Sequence, residues 1–229
     1  MSEIKVQDKE IVVPGQLLAE GMDFLPSYGT YRKEDKIRSQ RLGIVKIEGK
    51  VIKIISLSGR YYPKYDDVII CKVIDVLLSG WRVNTNSAYD AMLNVKDATS
   101  DFIRKGADLT KFYALDDYMV CRIANVTTQN VVDVTMRGPG LRKLDGGRIF
   151  EVNTHKVPRV IGKQGSMVSM IKDATACKII VGQNGIVWVS GEPEMEQIAY
   201  DTIKKIENEA HTAGLTENIK AYLDKRCKK

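Results

Sequence analysis

The residues best suited to chemistry lie in a short loop bracketed by glycines, Gly162-Lys163-Gln164-Gly165. Because glycine has no Cβ atom, two glycines around two polar residues allow a second backbone to approach this loop closely. Ser166 is a favourable N-cap for the amphipathic segment that follows, and the amides at a helix N-terminus attract a phosphate. Lys163 adds a mobile cation, and Lys156 and Arg159 lie just upstream. The loop therefore predicts a site that binds a phosphate-bearing backbone.

The surroundings of the loop decide between two interpretations. The four loop residues alone are equally compatible with a helix–turn–helix linker, since glycine pairs at this spacing are common in turns. The hydrophobic patterns around them predict a strand, a helix, the loop, a second helix, two strands and a long helix. This order resembles a type I KH domain, with predicted strands at residues 148–152, 178–181 and 186–189. The resemblance implies that the loop clamps about four nucleotides of a single strand.

The composition is that of a globular protein with a mild basic bias. The chain has 229 residues, of which 44% are hydrophobic and 28% charged, and this length allows one to three domains. The net charge of +6 is compatible with nucleic acid as a partner but does not identify it. The excess of basic residues lies in the first and last thirds. The middle third is neutral, so it could bind phosphates only through local clusters.

The cysteines and the N-terminus indicate where the protein works. No two cysteines have the spacing of a metal site, and we expect free thiols, mostly buried, in a reducing compartment. The segment Met1-Ser2-Glu3-Ile4-Lys5 contains no apolar signal sequence, and no apolar run approaches the ~20 residues that span a bilayer. We therefore expect a cytoplasmic protein that does not contact membranes. The cysteines lie about fifty residues apart, at Cys71, Cys121, Cys177 and Cys227.

The middle of the chain predicts five β-strands, with a longer insertion before the fourth, and this pattern fits an OB-fold barrel. The pair Gly80-Trp81 on the second strand resembles the S1 RNA-binding domain. Trp81 and Arg82 are candidates for a platform on which a base stacks, and Arg122 on the fourth strand is a further candidate cation. Equally, Trp81 could cover one end of the barrel. The Phe-x-x-His pattern of the better RNA-binding S1 domains is absent.

The remaining segments complete a multidomain chain that is mainly β with an α/β C-terminal part. The first segment predicts short strands with a tight hairpin at Glu48-Gly49. Arg137–Lys143 predicts a solvated connector, and a further helix is expected from Leu215 to Cys227. We expect three domains: a small β-domain at residues 1–62, an S1-type barrel at 63–140, and a KH domain with a C-terminal helical extension at 146–229.

Four stretches, in this order, resemble the RNA exosome cap subunits of the archaeal S1/KH type, the ribosomal RNA processing protein four family. The resemblance extends from about Ile11 to Tyr222. The stretches are Val13–Leu18, Gly59–Lys64, Lys156–Gly162 and Gly182–Trp188.

This resemblance implies an assembly. A trimeric cap, homomeric or mixed with a related subunit, sits on a ring of RNase PH-like subunits that degrades RNA from its 3′ end with phosphate. The N-terminal domain docks on the ring, the S1 domains surround the entrance pore, and the KH domains help to capture single-stranded RNA. The cap itself performs no chemistry and needs no cofactor or metal. The resemblance also implies a structural role for the turn Gly182–Gly185.

Two other functions remain open at this stage. One is a free-standing RNA-binding regulator that combines S1 and KH modules. The other is an enzyme such as the RNA-binding tail of a polynucleotide phosphorylase, in which KH precedes S1 and two large catalytic domains come first. The only histidines are His155 and His211, and no catalytic set can be assembled around them. The acid pairs Asp66-Asp67 and Asp116-Asp117 predict solvated turns.

Overall fold

The computed structural model describes residues 3–99, 103–104, 106–210, 212 and 214–227. The chain divides into two compact units, Met1–Gly59 and Arg60–Lys229. The first unit is built of strands alone. The second contains a closed barrel and an α/β module. This is the mainly β architecture with an α/β C-terminal part that the sequence predicts.

Eight short strands form the first unit. They make two four-stranded sheets with the orders β1-β3-β6-β5 and β2-β7-β8-β4. Leu18, Ile37, Val45, Ile52 and Ile54 fill a small core. The strands are β1 Glu3–Ile4, β2 Ile11–Val12, β3 Leu17–Glu20, β4 Leu25–Pro26, β5 Thr30–Lys33, β6 Lys36–Ser39, β7 Gly43–Glu48 and β8 Val51–Ser56.

The first unit differs from the prediction in its hairpin turn and in several strands that were not predicted, namely β1, β3, β4 and β6. Glu48 pairs directly with Val51, so the two-residue turn of the hairpin is Gly49-Lys50, one residue later than predicted. Strand β6 was not predicted, because Ile37 is its only apolar residue. Ile37 is nevertheless fully buried, as is Ser39, while the alternate residues Lys36 and Arg38 point away from the core.

The second unit begins with a five-stranded barrel. Its order is β9-β10-β11-β13-β12, and it closes because β12 pairs with both β13 and β9. Strand β11 runs parallel to β13, and the interior is packed with apolar side chains. This confirms the predicted OB-type barrel. The elements are β9 Val68–Leu77, β10 Gly80–Asn84, β11 Ala91–Asn94, α1 Val95–Ala98, β12 Tyr118–Val126 and β13 Val132–Thr135.

The predicted connector is partly wrong. Its last residue begins a short sixth strand, β14 (Lys143–Leu144), which pairs with the start of β12. The Val120 amide donates to the carbonyl of Arg142 at 2.8 Å, and Lys143 forms an ion pair with Asp117. This end of the connector is therefore part of the sheet, which fixes where the following module starts.

The α/β module has the predicted order of elements. Its three strands form an antiparallel sheet with the order β15-β17-β16, and the apolar sides of its helices cover one face of that sheet. The sequence and this order together confirm the type I KH fold. The elements are β15 Arg148–Glu151, α2 Val157–Ile161, α3 Ser166–Thr175, β16 Lys178–Val181, β17 Ile186–Ser190, α4 Pro193–Asn208 and α5 Leu215–Cys227.

The other face of the KH sheet packs against the outside of the barrel. Ile186 and Trp188 on β17 are buried there against Ile70, Val120 and Leu144. Successive residues of a strand point to opposite faces, so these side chains alternate with those that contact the helices. The KH sheet is thus covered on both faces, which holds the barrel and the KH module together.

The turn between β16 and β17 extends this contact into the barrel wall. Asn184 is fully buried. Its Oδ1 accepts a hydrogen bond from the Ile70 amide at 3.3 Å, and its Nδ2 donates to the carbonyls of Ile70 and Thr85, each at 2.8 Å. A Cβ on Gly182 would lie 2.4 Å from Asn184 Oδ1, so this position requires glycine. The structural role implied for this turn is confirmed.

Replacing Asn184 with alanine should destabilise the second unit by about 3 kcal/mol, because three buried backbone groups lose their partner. Chemical denaturation of the full chain measures this loss. Gln183→Ala is the matched control, since the Gln183 side chain is exposed and only its backbone amide bonds, to Val68 O. The control should change the free energy of unfolding by less than about 0.5 kcal/mol. Equal effects of the two substitutions would contradict this role of the carboxamide.

Candidate nucleic-acid interface

The glycine-bracketed loop joins α2 to α3 in one tight 3₁₀ turn, Lys163–Gly165. Three of its residues have positive φ, namely Gly162 (76°), Gln164 (53°) and Gly165 (81°). The Gly165 amide donates to the Gly162 carbonyl at 3.2 Å, and the Ser166 amide donates to the Lys163 carbonyl. These bonds close the turn and present the exposed side chains of Lys163 and Gln164 to solvent.

The two glycines serve different purposes. A Cβ on Gly162 would lie 2.8 Å from both the amide nitrogen and the Cβ of Met167, so the loop cannot fold against α3 with a larger residue there. A Cβ on Gly165 would meet no atom within 4 Å. Gly165 therefore leaves open space beside the loop, where another backbone can approach.

The predicted helix cap is wrong. Ser166 is the first residue of α3. The N-cap position belongs to Gly165, which has no side chain that could form a capping bond. The left-handed conformation of Gly165 turns the chain into the helix without a hydroxyl cap. The positive end of the α3 dipole still lies at this loop, beside the Lys163 cation.

The upstream basic residues do not all point to the loop. Arg159 Nη2 donates to the Thr212 carbonyl at 3.2 Å, which directs the guanidinium toward the segment before α5. Lys156 is half-buried at the start of α2. His155 lies in the preceding 3₁₀ turn, and His211 lies outside the described residues. Lys163 is thus the cation that the structure places at the loop itself.

The sheet order adds one fact about the KH module that the sequence did not give. Strand β16 is the outer strand of the KH sheet in the order β15-β17-β16, and its first residue, Lys178, is exposed. The outer edge of β16 has no neighbouring strand among the residues that the structure describes. The strand itself was predicted, but only the sheet order shows that it lies at the edge.

The predicted stacking platform on the barrel is wrong for Trp81. Its side chain is fully buried inside the barrel, its Nε1 donates to the Tyr113 carbonyl at 2.9 Å, and its ring meets that of Tyr113 edge-on with 5.1 Å between centroids. Arg82, the next residue on the strand, points outward. The two side chains lie on opposite sides of the barrel wall and cannot form one platform.

The barrel arginines are paired with acids. Arg82 lies opposite Asp75 on the neighbouring strand, and Arg82 Nη2 is 3.2 Å from Asp75 Oδ2. Arg122 Nη1 is 3.5 Å from Asp66 Oδ1. Both arginines are partly exposed, so their charge is available to a ligand only in competition with these carboxylates.

The two acid pairs were predicted to be solvated turns, but members of each pair bond to neighbouring side chains. Asp116 Oδ1 is 2.6 Å from Lys72 Nζ. The Tyr61 hydroxyl donates to Asp67 Oδ2 at 2.6 Å. Burial, together with this bond to Asp67, raises the pKa of Tyr61 well above its usual value, and burial raises the pKa of the Asp67 carboxyl.

The four cysteines are free thiols, as predicted; Cys227 is only partly buried.

Among the described residues, no group of three or more His, Cys, Asp or Glu side chains is arranged to hold a metal ion. No helix in the described part of the chain is both long and apolar enough to cross a membrane.

Two protein-family models match separate parts of this chain. The KH domain model matches residues 147–195, and the model described as the exosome complex exonuclease RRP4 N-terminal region matches residues 11–48. Exosome complex component Rrp4 of Methanobrevibacter smithii is 43% identical over 220 residues, which cover 96% of this chain and 72% of that protein. The Rrp4 component of Pyrococcus furiosus is 42% identical over 229 residues, with 97% and 86% covered.

A solved crystal structure assigned as an exosome complex RNA-binding protein has a similar fold. Its TM-score is 0.66 at 32% sequence identity, and the match covers 73% of this chain and 97% of that one.

The loop geometry predicts that alanine is tolerated differently at the two glycines. Gly165→Ala should cost about 1–2 kcal/mol, which is the cost of a left-handed backbone for a residue with a Cβ. Gly162→Ala should cost clearly more, because it adds the clash with Met167 to the same backbone cost. Urea denaturation of the two full-length variants compares them. A smaller loss for Gly162→Ala than for Gly165→Ala would show that the loop packs differently.

Proposed function

The chain belongs to the archaeal Rrp4 family of exosome components, and we propose that it binds single-stranded RNA as a non-catalytic cap subunit of that complex. In this role it captures the RNA and guides its 3′ end into a phosphorolytic ring of RNase PH-like subunits. The membership rests on relatives that are 42–43% identical over nearly the whole chain. The assembly and the RNA path are our proposal.

The open side of Gly165 is the observation that supports RNA binding most directly. It lies next to the exposed Lys163, at the positive end of α3, within the segment that the KH model matches. A phosphate-bearing backbone can approach Gly165 without a clash while Lys163 neutralises its charge. These contacts do not involve base edges, so they favour binding with little sequence selectivity.

The proposed RNA-binding residues follow from this geometry. The loop contributes Gly162, Lys163, Gln164 and Gly165. Lys156 and Arg159 are secondary contacts, because the guanidinium of Arg159 is directed toward the Thr212 carbonyl. Trp81 is excluded from direct contact because it is buried. Arg82 and Arg122 are secondary contacts, since RNA would have to compete with their carboxylate partners.

We further assign a role to each part of the chain. Residues 1–62 dock on the ring, residues 63–140 line the path of the RNA, and residues 146–229 hold the strand through the KH loop. The cap is trimeric, either homomeric or mixed with a related subunit. The free-standing regulator is the competing function, and association with the ring distinguishes the two.

Charge reversal in the loop tests RNA binding. The double substitution Lys163→Asp and Gln164→Asp should lower the affinity for a single-stranded RNA at least tenfold, because it replaces a cation with two anions beside the phosphates. Gel shifts measure the affinity, and the wild-type affinity should fall steeply as salt rises. The control with the same change in charge is Lys33→Asp with Gln40→Asp, two exposed residues of the first unit. If both pairs weaken binding equally, the loop is not the site.

Association and activity test the rest of the proposal. The full chain, mixed with purified ring subunits from the same organism, should elute with them in size-exclusion chromatography. Alone with RNA and inorganic phosphate, it should leave the RNA at full length. Elution apart from the ring would favour the free-standing regulator. Shortening of RNA by the chain alone would contradict the non-catalytic role.

A further inference from the structure

The connector between the barrel and the KH module contains an exposed basic turn. The segment Arg137–Arg142, which we call the connector turn, carries two arginines and no acidic residue. The Leu141 amide donates to the Gly138 carbonyl at 3.4 Å, and Gly140 has a φ of 78°. With Pro139 before that glycine, these features are typical of a type II turn. The first four residues of the turn are all exposed.

The two glycines of the connector turn have different surroundings. A Cβ on Gly140 would meet no atom within 4 Å, so the space beside it is open. A Cβ on Gly138 would lie 3.3 Å from Leu141 Cδ1 and 3.8 Å from Arg122 Nη2, which places the guanidinium of Arg122 beside the turn. Another backbone can therefore approach Gly140 from solvent, with a cation close by.

The two arginines of the connector turn are positioned by groups other than carboxylates. Arg137 Nη2 donates to the Thr99 carbonyl at 3.2 Å. Arg142 lies over the Trp188 ring, with 5.7 Å between Cζ and the ring centroid, and the Arg142 carbonyl accepts from the Val120 amide. Neither arginine forms an ion pair with any residue that the structure describes. Both are exposed, so their positive charge is open to a ligand.

Arg122 adds a third cation, and it has too few acceptors within the protein. Its Nη1 is 3.5 Å from Asp66 Oδ1, which is longer than a normal hydrogen bond. Its Nε is buried and has no hydrogen-bond partner in the described part of the chain. Buried donors without a partner are costly and few in native proteins. A phosphate beside Gly138 would give this guanidinium a stronger acceptor than Asp66 does.

The chemistry of the connector turn favours a phosphate backbone over an acidic protein as the ligand. Its one large apolar residue, Leu141, is partly buried and packs against the cluster between the barrel and the KH sheet. A protein partner would therefore find no exposed apolar anchor in the turn, and such anchors dominate protein–protein contacts. Guanidinium groups beside an open glycine suit phosphate oxygens, because each guanidinium can donate two parallel hydrogen bonds.

The connector turn lies at the seam between the two modules. Arg122 lies opposite Val68 on β9, and the Val68 carbonyl accepts from the amide of Gln183 in the KH module. The end of the turn continues into β14, which pairs with β12. A polynucleotide bound here would thus contact the barrel wall close to the KH module, in addition to the loop Lys163–Gly165.

We propose that the connector turn binds phosphates of single-stranded RNA through Arg137, Arg142 and the guanidinium of Arg122. The inference rests on the proposed function and adds a second contact with the same ligand, outside the KH loop. Contacts between guanidinium groups and phosphates do not read bases, so this site has no sequence preference of its own. Two linked contacts hold one strand more tightly than either contact alone.

The test measures the affinity of the full chain for an oligoadenylate RNA by fluorescence anisotropy over a range of salt concentrations. Arg137→Gln with Arg142→Gln should weaken binding at least about fivefold. It should also lower the slope of log affinity against log salt by about 1.4, since each lost phosphate contact of a single strand removes about 0.7. Lys50→Gln with Lys220→Gln is the matched control, because both lysines are exposed and lie outside the turn and the KH loop. The control should leave affinity and slope unchanged.

A second pair of variants separates a lost charge from a disturbed fold. Arg137→Lys with Arg142→Lys keeps both charges but loses the two-pronged hydrogen bonding, so it should bind within about threefold of the wild type. Its salt slope should equal that of the wild type. Thermal unfolding of each variant checks that the barrel and the KH module are folded.

Each contrary result has a distinct meaning. Wild-type affinity and slope in the glutamine pair of the turn would overturn this site and leave the proposed function intact. Equal weakening by the control pair would also overturn it, because the effect would then come from overall charge. If the glutamine pair lowers association with the purified ring subunits while RNA affinity is unchanged, an acidic protein surface occupies the turn instead. Failure of the wild-type chain to bind RNA would overturn the proposed RNA binding together with this inference.

Discussion

The second unit depends on the contact between the KH sheet and the outer wall of the barrel. In the turn that extends this contact, the buried Asn184 carboxamide bonds the amide and the carbonyl of Ile70 in β9 and the carbonyl of Thr85, which follows β10. A buried carboxamide is unfavourable unless its hydrogen bonds are satisfied, so this group fixes one relative position of the two modules. Apolar packing of Ile186 and Trp188 around it supplies the bulk of the attraction. The hydrogen bonds of Asn184 give the specificity and the apolar packing gives the stability.

This contact determines where the KH module can bind a ligand. Helices cover one face of its sheet and the barrel covers the other. The loop Lys163–Gly165 and the outer strand β16 remain exposed at the side. Because α2 and α3 pack on the same core as the sheet, the loop is carried on a rigid support. A backbone bound at Gly165 would therefore have a fixed position relative to the barrel.

The sequence predicts the KH module closely and the first unit poorly, for physical reasons. In the KH module, the long segments with regularly spaced apolar residues and the paired glycines predict the same arrangement. Strand β16 and helix α5 have the predicted bounds. In the first unit the strands are short, and β6 contributes one apolar residue, so local patterns carry little signal. The burial of Trp81 was also open, because strand alternation shows that Trp81 and Arg82 point opposite ways but not which way is inward. A Cβ on Gly80 would lie 2.2 Å from the Leu93 carbonyl oxygen, so glycine is required where β10 meets β11, but this contact is visible only in the folded barrel.

The way in which this chain would hold RNA suits a subunit that must accept many sequences. In the proposed binding mode, a glycine loop with a lysine would contact the backbone, which is the same for every nucleotide. The tryptophan that could have selected bases by stacking is instead part of the barrel core, and the barrel arginines are paired with aspartates. Weak, general contacts also allow a strand to move after it is bound, because no single base must be released. The proposed function requires such movement, because the bound strand would have to pass on to a separate degrading ring.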